Sequence, residues 1–305
     1  MKIGLNGGAG TVDRMVEQAV QTEEEGFSSL WYPSAVAGDP LVAMALAGRA
    51  TTTLELGTAV LQTYTSHPAL MANRVLAVAS AMGRNGFTLG IGPSHEVVIE
   101  GSFGISYANV GRHTEEYVTI LTQLLHGEAV EFRGDDFEVR LGAPATAAGV
   151  VVPVLVAALA RRLLRVAGAV ADGTILWMAN ARAVATHVTP LIRDAAESAG
   201  RDAPRIVAGL PVAVHDNVDE AREAAAKQFG FYGGLPNYRR ILDLGGAEEP
   251  ADAAIVGDEA AVTAQIEAMF EAGATDMWAA VFPVGDDRNG SRTRTRKLLQ
   301  ELARS

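Results

Sequence analysis

The chain has 305 residues, no cysteine, 49% hydrophobic residues and a formal net charge of −11. Lack of cysteine excludes a disulfide framework, a thiol nucleophile and a thiolate metal site, and the acidic balance opposes general nucleic-acid binding. The longest apolar run, 150–159, contains Pro153 and falls short of the ~20 residues a membrane helix needs, so the expectation is a cytoplasmic protein handling a small molecule, with no membrane or nucleic-acid partner.

Strand-like runs are expected near 2–6, 28–33, 54–60, 87–92, 153–158, 173–178, 205–214 and 275–282, with helical patterns between them. Val12, Met15, Val16, Ala19 and Val20 form one apolar helical stripe. A second helix runs from Pro68 to about Met82. Gly26, Gly200 and Gly273 stand at helix ends, where a left-handed residue is wanted. The stretch 130–139 reads as a hairpin turning at Gly134. Residues 228–256 form a glycine- and proline-rich insertion around a short helix, 237–244, ahead of a helix at 258–272. Such insertions serve as lids or dimer elements. Eight strand–helix units point to a single-domain (β/α)8 TIM barrel over 1–305; a doubly wound sheet is the alternative, because alternation alone does not prove closure.

A barrel binds ligands at the C-terminal ends of its strands. That selects Asn6, Pro33, Ser34, Ala59 to Gln62, Gly92 to His95, Ala157 to Arg162, Trp177 to Asn180, His215 and Phe282. Small residues at these ends let a flat ring lie against backbone. Trp177 either walls a substrate pocket or belongs to the core. Tyr232 and Tyr238 either cap the pocket or pack on the surface. His67, before Pro68, reads as a turn residue. His113, Glu115, Glu116, Asp135 and Asp136 lack metal-ligand spacing, so no metal is expected. Gly90-Ile91-Gly92 lacks the third glycine and acidic partner of a dinucleotide fingerprint.

Several of these stretches carry a family resemblance. They are Gly57-Thr58-Ala59-Val60, Ser66-His67-Pro68, Leu89-Gly90-Ile91-Gly92-Pro93-Ser94-His95, Val154-Leu155-Val156-Ala157-Ala158-Leu159 and Ala167 to Gly173. With Glu25-Gly26-Phe27, Leu30-Trp31 and Asp39-Pro40-Leu41, they resemble the luciferase-like monooxygenase superfamily. The tract Gly92 to Glu100 and the run Gly111-Arg112-His113-Thr114-Glu115-Glu116-Tyr117 are similar to actinobacterial oxidoreductases that use the deazaflavin coenzyme F420.

The resemblance implies a (β/α)8 barrel, a homodimer, and an isoalloxazine-like ring at the strand ends with a non-prolyl cis peptide behind it, at Ala59–Val60. It implies that Ala59, Val60, Gln62, Pro93, Ser94, His95, Ala157 and Ala158 hold the ring and its chain, and that Leu159, Ala160, Arg161 and Arg162 meet a phosphate. Helix amides and guanidinium groups suit that anion. The chain departs from the family where Ala160 replaces a common glycine and Arg161 a proline. It departs again before the fourth strand, where Asn85-Gly86-Phe87 replaces Gly-Arg-Phe and Arg84 is displaced. Asn6, Ser34, Trp177 and Tyr232 fall in the implied substrate pocket. His95 stands where a related subgroup carries a proton-handling glutamate, and histidine can exchange a proton near neutral pH. Its other reading is a hydrogen bond to cofactor or backbone. Arg288, Arg292, Arg294, Arg296 and Lys297 sit early in the last helix, where acids are preferred. They either meet an anionic cofactor tail or serve the surface or a dimer.

Three functions fit. The first is hydride transfer between F420 and an activated alkene, imine or alcohol. The second is an FMN-dependent monooxygenase on the same barrel. The third is a barrel that binds a ligand without turnover.

Overall fold

Eight short apolar runs become parallel strands in the computed structural model, which describes residues 1–34, 39–144 and 151–305. They are β1 (Ile3–Asn6), β2 (Ser29–Tyr32), β3 (Glu55–Thr58), β4 (Phe87–Gly92), β5 (Val154–Val156), β6 (Gly173–Trp177), β7 (Arg205–Val214) and β8 (Asp276–Val281). Each pairs with the next in chain order, and β8 pairs back onto β1, which closes a (β/α)8 barrel rather than an open sheet.

The outer ring begins with α1 (Val12–Glu24), α2 (Pro40–Ala50), α3 (Pro68–Met82), α4 (Glu96–Phe103) and α5 (Val110–Leu125). It continues with α6 (Arg161–Ala169), α7 (Thr189–Ser198), α8 (Val218–Phe229), α9 (Pro236–Leu244), α10 (Glu259–Glu271) and α11 (Arg288–Arg304). Local chemistry sets the helix starts. Asp39 accepts the Leu41 amide at 2.9 Å, and His67 Nδ1 accepts the Ala69 amide at 3.2 Å, each just before a first-turn proline. His67 is therefore a capping residue. Gly26, Gly200 and Gly273 have φ of 85°, 67° and 110°, as their helix-end positions require.

The barrel interior is a separate small core of Trp31, Leu155, Ile175, Val207 and Trp278, with Ala59, Val60, Ala157 and Trp177 packed above it. Two glycines make room for its indoles. A Cβ at Gly57 would lie 2.2 Å from the Trp31 ring, and one at Gly209 would lie 2.0 Å from Trp278. At the opposite, N-terminal face, Arg205 pairs with Glu55 at 2.8 Å and Asp276 at 2.7 Å, and Thr88 Oγ1 donates to Glu55 at 2.5 Å. This network ties the starts of β3, β4, β7 and β8 across the barrel bottom.

Three features differ from the sequence expectation. The third strand is split: Glu55–Thr58 pairs with β2, then Leu61–Gln62 pairs with Ile91–Gly92; the intervening Ala59–Val60 peptide is cis, as the resemblance implies. The hairpin runs Val130–Arg133 and Glu138–Leu141, two residues beyond 139. Its tip is fixed by Glu116, whose carboxylate accepts the amides of Asp135 and Asp136 at 2.9 Å and Phe137 at 3.0 Å. The insertion also contributes a strand, Ile255–Gly257, because the ten-residue β7 leaves Val212–Val214 open to pairing. The displaced Arg84 still anchors its neighbourhood, donating to the carbonyls of Gly48, Thr51 and Leu54.

Candidate active site

The C-terminal mouth of the barrel holds two adjoining cavities. The first is a slot between the ends of β3, β4, β5 and β6, bounded by Ala59 and Val60, by Pro93, Ser94 and His95, and by Ala157 to Ala160. Ile175 and Trp278 reach it from the interior, and Asn237 and Tyr238 of α9 close it from above. Its narrow cross-section follows from missing side chains. A Cβ at Gly90 would lie 1.9 Å from the Thr58 carbonyl oxygen, and one at Gly92 would lie 2.8 Å from Ala157 Cβ and 3.2 Å from Val60. Only glycine lets these strand ends approach, leaving a smooth, largely apolar surface.

Ser94 takes a left-handed φ of 64° and is held on two sides. Gln62 Nε2 donates to its hydroxyl at 3.3 Å, and Tyr107 Oη donates to its carbonyl at 2.7 Å. The turn carries His95 to the start of α4, where its imidazole makes no capping bond and lines the slot. Burial pushes the His95 pKa below its ordinary value, so the ring is neutral at pH 7. Tyr238 stands beside it, ring centroids 5.4 Å apart, and burial raises its pKa, so the phenol keeps its proton.

An aromatic wall separates the slot from the second cavity. Trp177 stacks on Trp278 at 4.9 Å and 14°, with Tyr232 against Trp177 and Tyr238 against Tyr232. Beyond it lie Asn6, Gln18, Pro33, Gln228, Tyr232, Arg292 and Arg296. Ala59, Trp177, Tyr238 and Trp278 line both spaces.

A polar cluster lies behind Ser94. Tyr64 stacks on His113 at 3.9 Å and 7°, and on its other side meets Tyr107 at 5.3 Å. Tyr64 Oη, Ser66 Oγ, His113 Nε2 and Tyr117 Oη are buried with no hydrogen-bond partner among the described residues. Burial, with the charges of Asp136 and Glu100, pushes the Tyr64 phenol up to about 12, and burial holds His113 neutral at pH 7.

The expected site residues fall in different places. Ala59, Val60, Pro93, Ser94, His95, Ala157, Ala158, Leu159 and Ala160 line the slot together. Gln62 acts on Ser94 rather than lining the slot. Arg161 and Arg162 begin α6 on the exposed side, where Arg162 pairs with Glu115 at 2.8 Å. Ala160 gives α6 no side-chain cap, so the first amides of the helix are free to meet an anion. Asn6, Trp177 and Tyr232 line the second cavity; Ser34 is half-buried beside it. Phe282, selected at the end of β8, is fully buried against Phe229 in the core. Trp278, Leu163, Asn237, Gln18 and Gln228 were not singled out from sequence. Trp278 had a signal, being the large residue of an apolar strand, but its inward direction depends on strand parity. No cluster of three metal-binding side chains occurs among the described residues.

The family described as luciferase-like monooxygenase matches residues 2–300. The chain belongs to that family. This luciferase-like chain is 26% identical over 259 residues to the F420-dependent glucose-6-phosphate dehydrogenase of Nakamurella multipartita, spanning 80% of this chain and 75% of that one. An F420-dependent secondary alcohol dehydrogenase in complex with an F420–acetone adduct superposes with a TM-score of 0.76 at 18% identity, covering 97% of both chains. The oxygenating constituent of 3,6-diketocamphane monooxygenase from Pseudomonas putida, in complex with FMN, superposes with a TM-score of 0.71 at 18% identity, covering 99% of this chain and 97% of that one. At that identity the two structures establish the shared luciferase-like barrel. No helix among the described residues is long and apolar enough to cross a membrane.

Proposed function

We propose that this luciferase-like chain is an F420-dependent oxidoreductase, moving hydride between the deazaflavin and a small organic substrate such as an activated alkene, imine or alcohol. The observation that carries this is the slot itself: backbone and Cβ-level surface along three strand ends, with a neutral, uncapped His95 at its edge. The residues fit the group. Ala59, Val60, Pro93, Ala157 and Ala158 suit a flat tricyclic ring. The unpartnered Tyr64 Oη, Ser66 Oγ, His113 Nε2 and Tyr117 Oη, with the free amides of α6, suit a polyhydroxyl chain and phosphate. The Arg162–Glu115 pair brings α6 and the first turns of α5 side by side, so these groups serve one polar end. The F420-dependent relative of 26% identity supports this choice of cofactor.

When bound, a deazaflavin supplies two-electron hydride chemistry. The chain supplies the rest. The apolar strand ends exclude water, and Tyr238 and Asn237 cover the slot. His95 accepts the hydroxyl proton of an alcohol at a ring nitrogen, or returns one to a substrate carbonyl or imine in reverse. Its depressed pKa favours the accepting form at neutral pH.

Equilibrium titration of the purified protein tests the reading. Deazaflavin is expected to bind with low-micromolar affinity or better; tight FMN binding without deazaflavin binding would overturn it. The shared barrel of the FMN-bound monooxygenase supports the FMN reading as second choice. Oxygen consumption with FMN and a reductase would favour that one. Tight deazaflavin binding with no single-turnover oxidation by any enone, imine or ketone would leave a binder without turnover. The homodimer belongs to the same proposal, and sedimentation velocity tests it.

A further inference from the structure

The second cavity has a charge character unlike the chain as a whole. Acidic side chains outnumber basic ones 36 to 25, yet among the described residues no carboxylate lines this space. Arg292 and Arg296 do, joined by the amide side chains of Asn6, Gln18 and Gln228. The two arginines are not equivalent. Arg296 pairs with Glu25 and lies 5.7 Å over the Phe27 ring, which fixes its position. Arg292, one turn earlier on α11, is exposed and has no ion pair or hydrogen bond among the described residues. A cation there also opposes the helix dipole, so it does nothing for the helix that carries it.

Position separates this cation from the polar end of the slot. The slot is built on β3 to β6 and reaches Ala160 at the start of α6. Arg292 belongs to the half of the mouth formed by β8, β1, α1, α8 and α11. A cofactor tail directed toward α6 points away from it. The shared wall of Ala59, Trp177, Tyr238 and Trp278 means that a molecule held by one end in the second cavity presents its other end to the slot.

We propose that the second cavity is the substrate site, and that the substrate carries an anionic group, a phosphate or a carboxylate, received by Arg292 with Arg296 beside it. This rests on the oxidoreductase reading above. Arginine suits either anion through paired N–H donors. Arg296 positions the site, and Arg292 is the uncompensated charge.

Calorimetric titration without cofactor tests this, using phenyl phosphate against phenol and benzoate against benzyl alcohol as probes. At least one anion is expected to bind tenfold or more tightly than its neutral partner. R292Q is expected to erase that preference and R292K to keep most of it. Preference confined to phenyl phosphate assigns a phosphate, and preference confined to benzoate assigns a carboxylate. Deazaflavin titration of R292Q is expected to match the wild type. Equal binding of charged and neutral probes, binding of neither anion, or a preference that survives R292Q overturns the proposal. So does an equal loss of deazaflavin affinity in R292Q, which would give the arginine to the cofactor tail. The anion titrations contain no cofactor, so a failure of the F420 reading leaves them unchanged and is seen separately.

Discussion

His95 shows how one residue's chemistry is set by what surrounds it. Its backbone opens α4, its ring lacks a cap bond, and burial disfavours its charged form. The proton-accepting form therefore persists below the ordinary histidine pKa of about 6.5. If His95 takes the alcohol proton, the rate of alcohol oxidation stays level above that pH and falls only below it. H95Q is expected to lower kcat about a hundredfold, within the range of general acid–base catalysis, and to flatten this profile. Its deazaflavin affinity is expected to stay within a few-fold of wild type. A profile unchanged in H95Q would remove His95 from proton transfer. The same depressed pKa has a consequence for stability. The unfolded chain binds the proton more readily, so the contribution of a neutral His95 is present above about 6.5 and is lost as pH falls through the lower folded value.

At the scale of elements, the strand ends form a slot because glycines let large neighbours or backbone come close. Of the two glycines that face an indole, Gly209 is the closer, with the Trp278 ring 2.0 Å from its missing Cβ. G209A is expected to destabilise the fold by about 1–3 kcal/mol through overpacking. Because Trp278 lines both cavities, the variant is also expected to weaken ligand binding. G230A is the control, since nothing lies within 4 Å of its Cβ position and its φ is −55°. Urea denaturation of the two variants makes the comparison; equal midpoints would refute the packing account. The strands themselves were legible in the sequence, because short apolar runs bounded by glycine and polar turns carry their own period. The hairpin was legible too, but not its two outermost pairs, Glu131 with Arg140 and Val130 with Leu141, nor the Glu116 carboxylate that fixes its tip from a distant helix. The Ile255–Gly257 strand was not, since its pairing depends on how far β7 outlasts β6, whose last pair is Trp177 with Gly209.

The whole molecule divides its work between two ends. The C-terminal mouth carries the cavities, and the N-terminal face carries the network of Arg205 with Glu55 and Asp276. R205M leaves two partly buried carboxylates without their partner. A loss of about 3 kcal/mol is expected, near the lower end for breaking a buried pair. Cofactor affinity per folded molecule is expected to hold, since the network lies at the far end of the strands. Thermal unfolding and cofactor titration read the two effects separately, and a variant as stable as wild type would contradict this role. The same division explains what the sequence revealed of the site. Ala59, Pro93 and Ala157 follow their strands directly, so chain order places them at the mouth. Tyr238, Gln228 and Arg292 reach it from helices, and only the closed barrel brings them together.

The stacked pair Trp177 and Trp278 gives the molecule an optical reporter. The chain has three tryptophans, and the third, Trp31, is fully buried with its indole N–H bonded to Ser29 at 2.8 Å. It packs in the same small core as Trp278, under Ala59 and Val60, so energy transfer to a chromophore in the slot dims it as well, whereas a colourless arrival in the second cavity leaves its surroundings unchanged. The other two form the partition between the cavities, so an arrival on either side alters their surroundings. A chromophore in the slot and a colourless anion beyond the partition should leave different spectral signatures, quenching by energy transfer in one case and a shift in emission wavelength in the other. Order of binding can then be followed in a stopped-flow instrument without attaching a dye.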